Sequence, residues 1–267
     1  MREKAVYTMG VDIGSATSKC VILYSGGETT ALTVCQGGTG TSGPEKAVQE
    51  ALDSAGLLME DMDSIVATGY GRNTFKSAVK TYSELSCHAK GALFLCPCAR
   101  AVIDIGGQDC KAMRLTGDGR LDGFSMNDKC AAGTGRFLEV MAKVLEVELP
   151  DMGDLGNGTD NIIGITSTCT VFAESEVISQ LSKGADKRSL IGGIHRSVAM
   201  KAAGIAKRLG IAEPVFFSGG VSRNSGIVKA LSLELGMEIL TDHRAQLAGA
   251  IGAALYAYGD RYVVAIK

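Results

Sequence analysis

The chain has no tryptophan, only three histidines in 267 residues, and no Cys-x-x-Cys pair among its eight cysteines. Each shortage excludes something. His88, His195 and His243 are scattered without ligand spacing, so packing or surface roles are expected rather than a histidine-built metal site. Cys20, Cys35, Cys87, Cys96, Cys98, Cys110, Cys130 and Cys169 lack the spacing of an ordinary single-chain zinc or ferredoxin site; Cys96-Pro97-Cys98 is the only close pair. No apolar run approaches the roughly 20 residues of a membrane span. No basic block occurs and the formal net charge is -2, which argues against nucleic acid as the main partner. Met-Arg-Glu-Lys leads straight into a strand-like segment, so no signal peptide is expected and the expected location is cytoplasmic. Thiols stay reduced there, and the eight cysteines are not read as disulfides.

Hydrophobic residues make up 46% of the chain, enough for a sizeable core, and the length suits one large domain or two modest ones. The 35 glycines fit an α/β protein with many tight turns. Strands are predicted at 5–14, 19–24, 30–35 and 64–68, with a helix over 44–55 whose proline sits in its first turn. The pattern then restarts. Strands are predicted at 101–107, 110–115 and 121–126, helices at about 131–146, 172–183 and 189–209, and a strand at 214–218. A helix from about Asn224, a strand at 238–241 and a helix at about 245–258 close the chain.

Val11-Asp12-Ile13-Gly14-Ser15 matches Ile103-Asp104-Ile105-Gly106-Gly107, with the aspartates 92 residues apart (104 − 12). Each is apolar–Asp–apolar–Gly–small followed by a second strand, which points to two related domains facing a cleft. A strand–glycine turn–strand hairpin aims successive backbone N–H groups into one space, a nest for phosphate oxygens. The expected phosphate contacts are Gly14, Ser15, Ala16, Thr17, Ser18 and Lys19 from the first hairpin, and Gly106 and Gly107 from the second. Asp12 and Asp104 would hold a hydrated Mg²⁺, which prefers carboxylates plus waters. Gln108 is assigned to the hydrolytic water. Gly219-Gly220, between a strand and a helix, would let adenosine lie against bare backbone, and Gln246 is a further candidate there. These loops match neither the Walker A pattern nor Gly-x-Gly-x-x-Gly. Phosphate loop, phosphate loop, adenosine loop, in that order, resembles the acetate and sugar kinase, Hsp70 and actin superfamily of ATPases. The resemblance implies α/β architecture: two actin-like, ribonuclease H-like domains around an ATP cleft. Residues 1–98 form the first, with a C-terminal helix at about 245–260 packing back on it; residues 99–244 form the second.

Cys130 stands immediately before Gly133-Thr134-Gly135, a turn of the kind that holds phosphates at a helix start and so a further set of expected nucleotide contacts, in Asn-Asp-Lys-Cys-Ala-Ala-Gly-Thr-Gly-Arg, and Cys169 lies in Ser-Thr-Cys-Thr-Val-Phe-Ala-Glu-Ser-Glu. Both are predicted just before helix N-termini, where the helix dipole favours anions such as thiolates or a thiolate-held iron–sulfur cluster. Two cysteines are half the ligands of a [4Fe-4S] cluster, and a two-fold dimer supplies the other two. Arg72 and Arg136 are open between phosphate, partner and surface ion pairing; Glu174 and Glu176 read as N-terminal helix charges; Val140, Val144 and Val147 read as a core stripe.

These two cysteine segments resemble the activator component of the 2-hydroxyacyl-CoA dehydratases of anaerobic bacteria, within the BadF/BadG/BcrA/BcrD-type ATPases that include benzoyl-CoA reductase subunits. Gly69-Tyr70-Gly71-Arg72, Ser83–Ala89, Ile103–Asp109 and Gly193–Val198 extend the likeness through most of the chain. The resemblance implies that Cys130 and Cys169 ligate one [4Fe-4S] cluster per homodimer. It also implies ATP, ADP and Mg²⁺ as ligands and ATP-dependent one-electron transfer to a separate dehydratase. A ferredoxin or flavodoxin would reload the activator. The alternatives are a small-molecule kinase or a regulatory ATPase of the same superfamily.

Overall fold

The computed structural model describes residues 6–157, 159, 161–166 and 169–264; Ser167 and Thr168, part of the second cysteine segment, lie outside them. The chain forms two compact units, one of residues up to 97 with 119–121 and the segment from 247, the other of residues 98–118 and 122–246.

In the first unit, β1 (Tyr7–Ile13) pairs antiparallel with β2 (Thr17–Tyr24), which pairs antiparallel with β3 (Glu28–Gln36). Helix α1 (Gly43–Ala55) leads to β4 (Met62–Thr68), parallel to β1, and β5 (Lys80–Thr81), parallel to β4. The sheet order is β3-β2-β1-β4-β5. β1 is central and almost wholly buried, as its near-continuous apolar run requires. Helix α2 (Glu84–Leu95) has no counterpart in the sequence prediction. Its Ser83 N-cap accepts from the Ser86 N–H at 3.1 Å, but the helix is apolar over most of its surface, so no amphipathic period marks it.

The second unit repeats the plan. β6 (Ala101–Ile105) pairs antiparallel with β7 (Cys110–Leu115), followed by β8 (Leu121–Asn127). Helices α3 (Gly135–Leu145), α4 (Met152–Asn157), α5 (Thr170–Ser182) and α6 (Lys187–Leu209) come next. β9 (Val215–Ser218) is parallel to β6, α7 (Ser225–Leu235) follows, and β10 (Ile239–Leu240) is parallel to β9. The order β10-β9-β6-β7-β8 is that of the first sheet, strand for strand. The halves differ in what joins the third strand to the fourth: among the described residues, one α-helix in the first and four in the second, and both Cys130 and Cys169 lie in that longer segment. Helix α8 (Ala248–Val264) returns to the first unit and packs on β1 and α2. Among the described residues no helix is long and apolar enough to cross a membrane.

Helix α3 starts at Gly135, not near 131. Gly133 takes φ +88 and Thr134 is the extended N-cap, its hydroxyl donating to the Ala131 carbonyl at 2.6 Å. A local turn therefore separates Cys130 from the helix, whereas Cys169 is itself the N-cap of α5. The α3 core face is Phe137, Leu138, Met141, Ala142 and Leu145; the predicted stripe of Val140, Val144 and Val147 flanks it, partly buried.

His195 is a packing residue of α6, 2% exposed. Asn224 caps α7 by accepting the Ile227 N–H at 3.0 Å, and its amide nitrogen then faces His195 Nε2 at 3.3 Å. That contact suits a neutral ring, and burial pulls the imidazole down to about 4. An unfolded histidine titrates near ~6.5, so between those values the unfolded chain binds the extra proton and stability falls with falling pH, by about 2 kcal/mol at pH 5. Urea unfolding at pH 7, 6 and 5 should show a steeper loss in the native chain than in His195→Gln; equal slopes would contradict the assignment.

Candidate functional site

Each half-sheet presents the same group of side chains at the end of its central strand. In the first unit Asp12 ends β1 at 2% exposure, opposite Lys19 on β2, whose ammonium lies 3.2 Å from Asp12 Oδ2. In the second unit Asp104, also 2% exposed, stands opposite Lys111 on β7 at 3.3 Å. Lys111 also pairs with Asp109 at 2.7 Å, and the Ser218 hydroxyl donates to Asp104 Oδ1 at 2.9 Å. The turns match as well. The Gly14 N–H donates to the Thr17 carbonyl at 3.1 Å and the Gly106 N–H to the Asp109 carbonyl at 3.0 Å.

The glycine after each parallel strand completes the repeat. Gly69 and Gly219 have φ +84 and +86. A Cβ on Gly69 would lie 2.5 Å from the Ile13 carbonyl and 2.6 Å from Asp12 Oδ1; one on Gly219 would lie 2.3 Å from the Ile105 carbonyl and 2.9 Å from Asp104 Oδ1. Only glycine lets the chain cross this close to the aspartate. Thr68-Gly69 thus stands to Asp12 as Ser218-Gly219 stands to Asp104, a pairing absent from the sequence analysis, as is Lys111.

The remaining predicted residues divide. Ser15, Ala16 and Thr17 are half-buried in the first turn; Gln108 is exposed in the second. Ser18 is fully buried and its hydroxyl donates to the Gly37 carbonyl at 2.8 Å, so its side chain serves the loop. Gly220 and Gln246 come together: a Cβ on Gly220 would be 3.5 Å from Gln246 Nε2. His88 is buried on α2 near Asp12, both crowding one side of Gly249, where a Cβ would lie 2.8 Å from His88 Nε2 and 2.9 Å from Asp12 Oδ2. Arg72 donates to the Gly69 carbonyl at 3.0 Å, and Arg136 pairs with Glu139 on the α3 surface at 2.6 Å.

The cysteines separate by burial. Cys20, Cys35, Cys87, Cys96 and Cys110 are buried; Cys98, Cys130 and Cys169 are exposed. Desolvation pushes the Cys87 and Cys110 thiols up to about 12 and Cys20 higher, so these are inert packing groups. Burial lowers the Lys201 ammonium of α6 below the usual lysine range, and the charges of Cys130 and Cys169 oppose that shift. Asn127 fixes the first segment by donating to the Cys130 carbonyl at 3.3 Å. Glu176 fixes the second, accepting from the Thr166 N–H at 3.0 Å and its hydroxyl at 2.9 Å; it anchors the loop and is not merely a helix-end charge. Two exposed thiols, one before α3 and one capping α5, form a donor set that fits half of a four-thiolate, anionic iron–sulfur cluster.

The Cys130 turn is bonded to the second glycine loop. The Gly135 N–H donates to the Gly106 carbonyl at 2.9 Å, and the Arg136 N–H to the Gly107 carbonyl at 2.8 Å. Two main-chain bonds thus tie the first residues of α3 to the loop that follows Asp104.

The sequence profile of the BadF/BadG/BcrA/BcrD ATPase family matches residues 9–257. The (R)-2-hydroxyglutaryl-CoA dehydratase activating ATPase of Acidaminococcus fermentans is 54% identical over 255 residues, covering 95% of this chain and 98% of that protein. The solved structure of the activator of the 2-hydroxyisocaproyl-CoA dehydratase from Clostridium difficile, with bound ADPNP, superposes with TM-score 0.96 at 49% identity, covering 98% of this chain and 97% of that one. A ROK family glucokinase from Streptomyces griseus, in complex with glucose and AMPPNP, shares the fold alone, at TM-score 0.58 and 15% identity over 95% of this chain and 99% of that one.

Proposed function

The chain belongs to the BadF/BadG/BcrA/BcrD ATPase family, and from that premise we propose that it is the ATP-driven, one-electron activator of a 2-hydroxyacyl-CoA dehydratase. It works in the cytoplasm as a homodimer with one [4Fe-4S] cluster shared by two copies, reloaded by a ferredoxin or flavodoxin. The observation that carries this reading is the pair of main-chain bonds from Gly135 and Arg136 to Gly106 and Gly107, because it joins a phosphate-type loop to a cysteine-bearing turn.

On the nucleotide side, the hairpin from Gly14 to Lys19 and the Gly106-Gly107 turn offer backbone N–H groups to ATP phosphates. Asp12 and Asp104 hold the hydrated Mg²⁺, with Lys19 and Lys111 orienting their carboxylates. Gln108, exposed in its turn, orients the hydrolytic water. Gly219, Gly220 and Gln246 cradle the adenosine.

On the redox side, Cys130 and Cys169 of each copy supply the four thiolates. When bound, the cluster supplies a one-electron store whose potential follows charge, exposure and hydrogen bonding. Any shift of the Gly106 and Gly107 carbonyls on nucleotide binding pulls on Gly135 and Arg136, and through Gly133-Thr134-Gly135 on Cys130. Hydrolysis then makes the transfer one-way. Helix α5 supports the shared arrangement: immediately after Cys169, Val171 and Phe172 are 65% and 68% exposed, a surface suited to a second copy.

The test is anaerobic purification followed by an electron-delivery assay with a dehydratase component. A brown protein that reduces the partner only with Mg²⁺ and ATP is the expected result. A colourless protein that phosphorylates a small metabolite would instead establish the kinase alternative.

A further inference from the structure

We propose that Lys201 is the chain's own counter-charge to the cluster-bearing thiols, raising the potential at which the site accepts an electron while its stem fixes the turn that carries Cys130. This rests on the cluster reading above and adds to it a residue that no sequence motif marks.

Helix α6 touches the turn after Cys130 through Lys201 and the stretch around Ile163 through Ser189. The Ile163 N–H donates to the Ser189 carbonyl at 3.1 Å near the start of the helix, anchoring the approach to Cys169. Two turns beyond Gly193, Lys201 runs under the Cys130 turn. Gly133 there has φ +88, and a Cβ on it would lie 2.9 Å from Lys201 Cδ and 3.2 Å from Lys201 Cβ. The lysine stem therefore fills the space any other residue would need. Its ammonium lies 6.0 Å from the centroid of Phe137, a ring 1% exposed in the first turn of α3. Burial pulls the ammonium below the usual lysine range, and Cys130 and Cys169 both oppose that shift. The neighbouring Arg136 is engaged with Glu139.

A positive charge carried beside the turn that follows Cys130 acts differently on the two redox states. Adding an electron makes a thiolate-held cluster more negative, so the ammonium stabilises the reduced state more than the oxidised one. Because the same side chain supports Gly133, a movement of that turn changes the spacing of this charge from Cys130. Lys201 is thus a positioning residue that links the state of the turn to the potential of the site.

The test compares the native chain with Lys201→Met and Lys201→Arg after anaerobic reconstitution, reading iron per chain and the midpoint by redox titration followed by electron paramagnetic resonance. The methionine variant should retain iron with its reduction equilibrium shifted about tenfold toward the oxidised state, which is about 59 mV more negative for one electron. Arginine should restore most of the shift. Full iron with an unchanged midpoint in Lys201→Met overturns the proposal. If methionine loses the iron, Lys201→Gln and Lys201→Arg decide it: equal midpoints overturn it, and a more negative glutamine midpoint supports it. A native chain that binds no iron overturns the cluster reading itself and is recognised separately.

Discussion

Cys130→Ser is expected to yield a colourless protein that binds nucleotide but delivers no electron. Serine keeps the size and removes the soft, readily ionised thiolate that iron requires. In a shared site each substitution counts twice, removing two of four ligands. Iron should fall from about two per chain, half of one four-iron cluster, to near zero, and electron delivery to background. The nucleotide loop should survive, because its tie to α3 is made by backbone N–H groups of Gly135 and Arg136. Cys169→Ser should behave alike. The control is Cys98→Ser: that thiol is also exposed, so exposure alone predicts the same loss, whereas the ligand assignment predicts full iron. Retained iron in Cys130→Ser, or lost iron in Cys98→Ser, would overturn the assignment.

Lys111→Met is expected to be the most destabilising substitution in the nucleotide half of the site. Lys111 is 1% exposed and lies 2.7 Å from Asp109 and 3.3 Å from Asp104, themselves 4% and 2% exposed. Removing this cation takes its charge away from two buried carboxylates, Asp109 and Asp104, a change that typically costs ~3–5 kcal/mol. Asp104 is then expected to take up a proton, which would remove it from the Mg²⁺-binding role proposed for it, so hydrolysis should fall with stability. The same change at Lys19 is milder: its side chain is 14% exposed and, among the described residues, it pairs with one carboxylate, Asp12, at 3.2 Å. Urea unfolding should rank Lys111→Met well below Lys19→Met. Equal midpoints would mean that the Asp104 group is a surface-like pair after all.

The contrast shows what the sequence made legible. The Asp12 and Asp104 pentapeptides are local and contiguous, so one comparison along the chain exposes them. Lys19 and Lys111 keep the same 92-residue offset (111 − 19) because they sit on the very next strand; the signal was there and was read only on the first side. Thr68-Gly69 and Ser218-Gly219 stand 150 residues apart (218 − 68), because α3 to α6 are inserted between the third and fourth strands of the second half. No fixed period relates them, and only the parallel pairing of β4 with β1 and β9 with β6 brings them to equivalent places. Lys201 was illegible for a different reason. It is one lysine on a long helix, and its approach to Gly133 and Phe137, far away in sequence, is a product of packing. The start of α3 was misplaced because a 3.6-residue apolar period cannot register a glycine at φ +88, which breaks the helix while the pattern continues.

The central claim is that one cluster is completed by two copies of this chain. Native mass spectrometry of the protein purified without oxygen measures it most directly, since it weighs the assembly with its inorganic content intact. The account predicts two chains carrying a single four-iron, four-sulfide cluster, with Cys130→Ser chains carrying none. A whole cluster on each chain, or a dimer that stays free of iron, would contradict it.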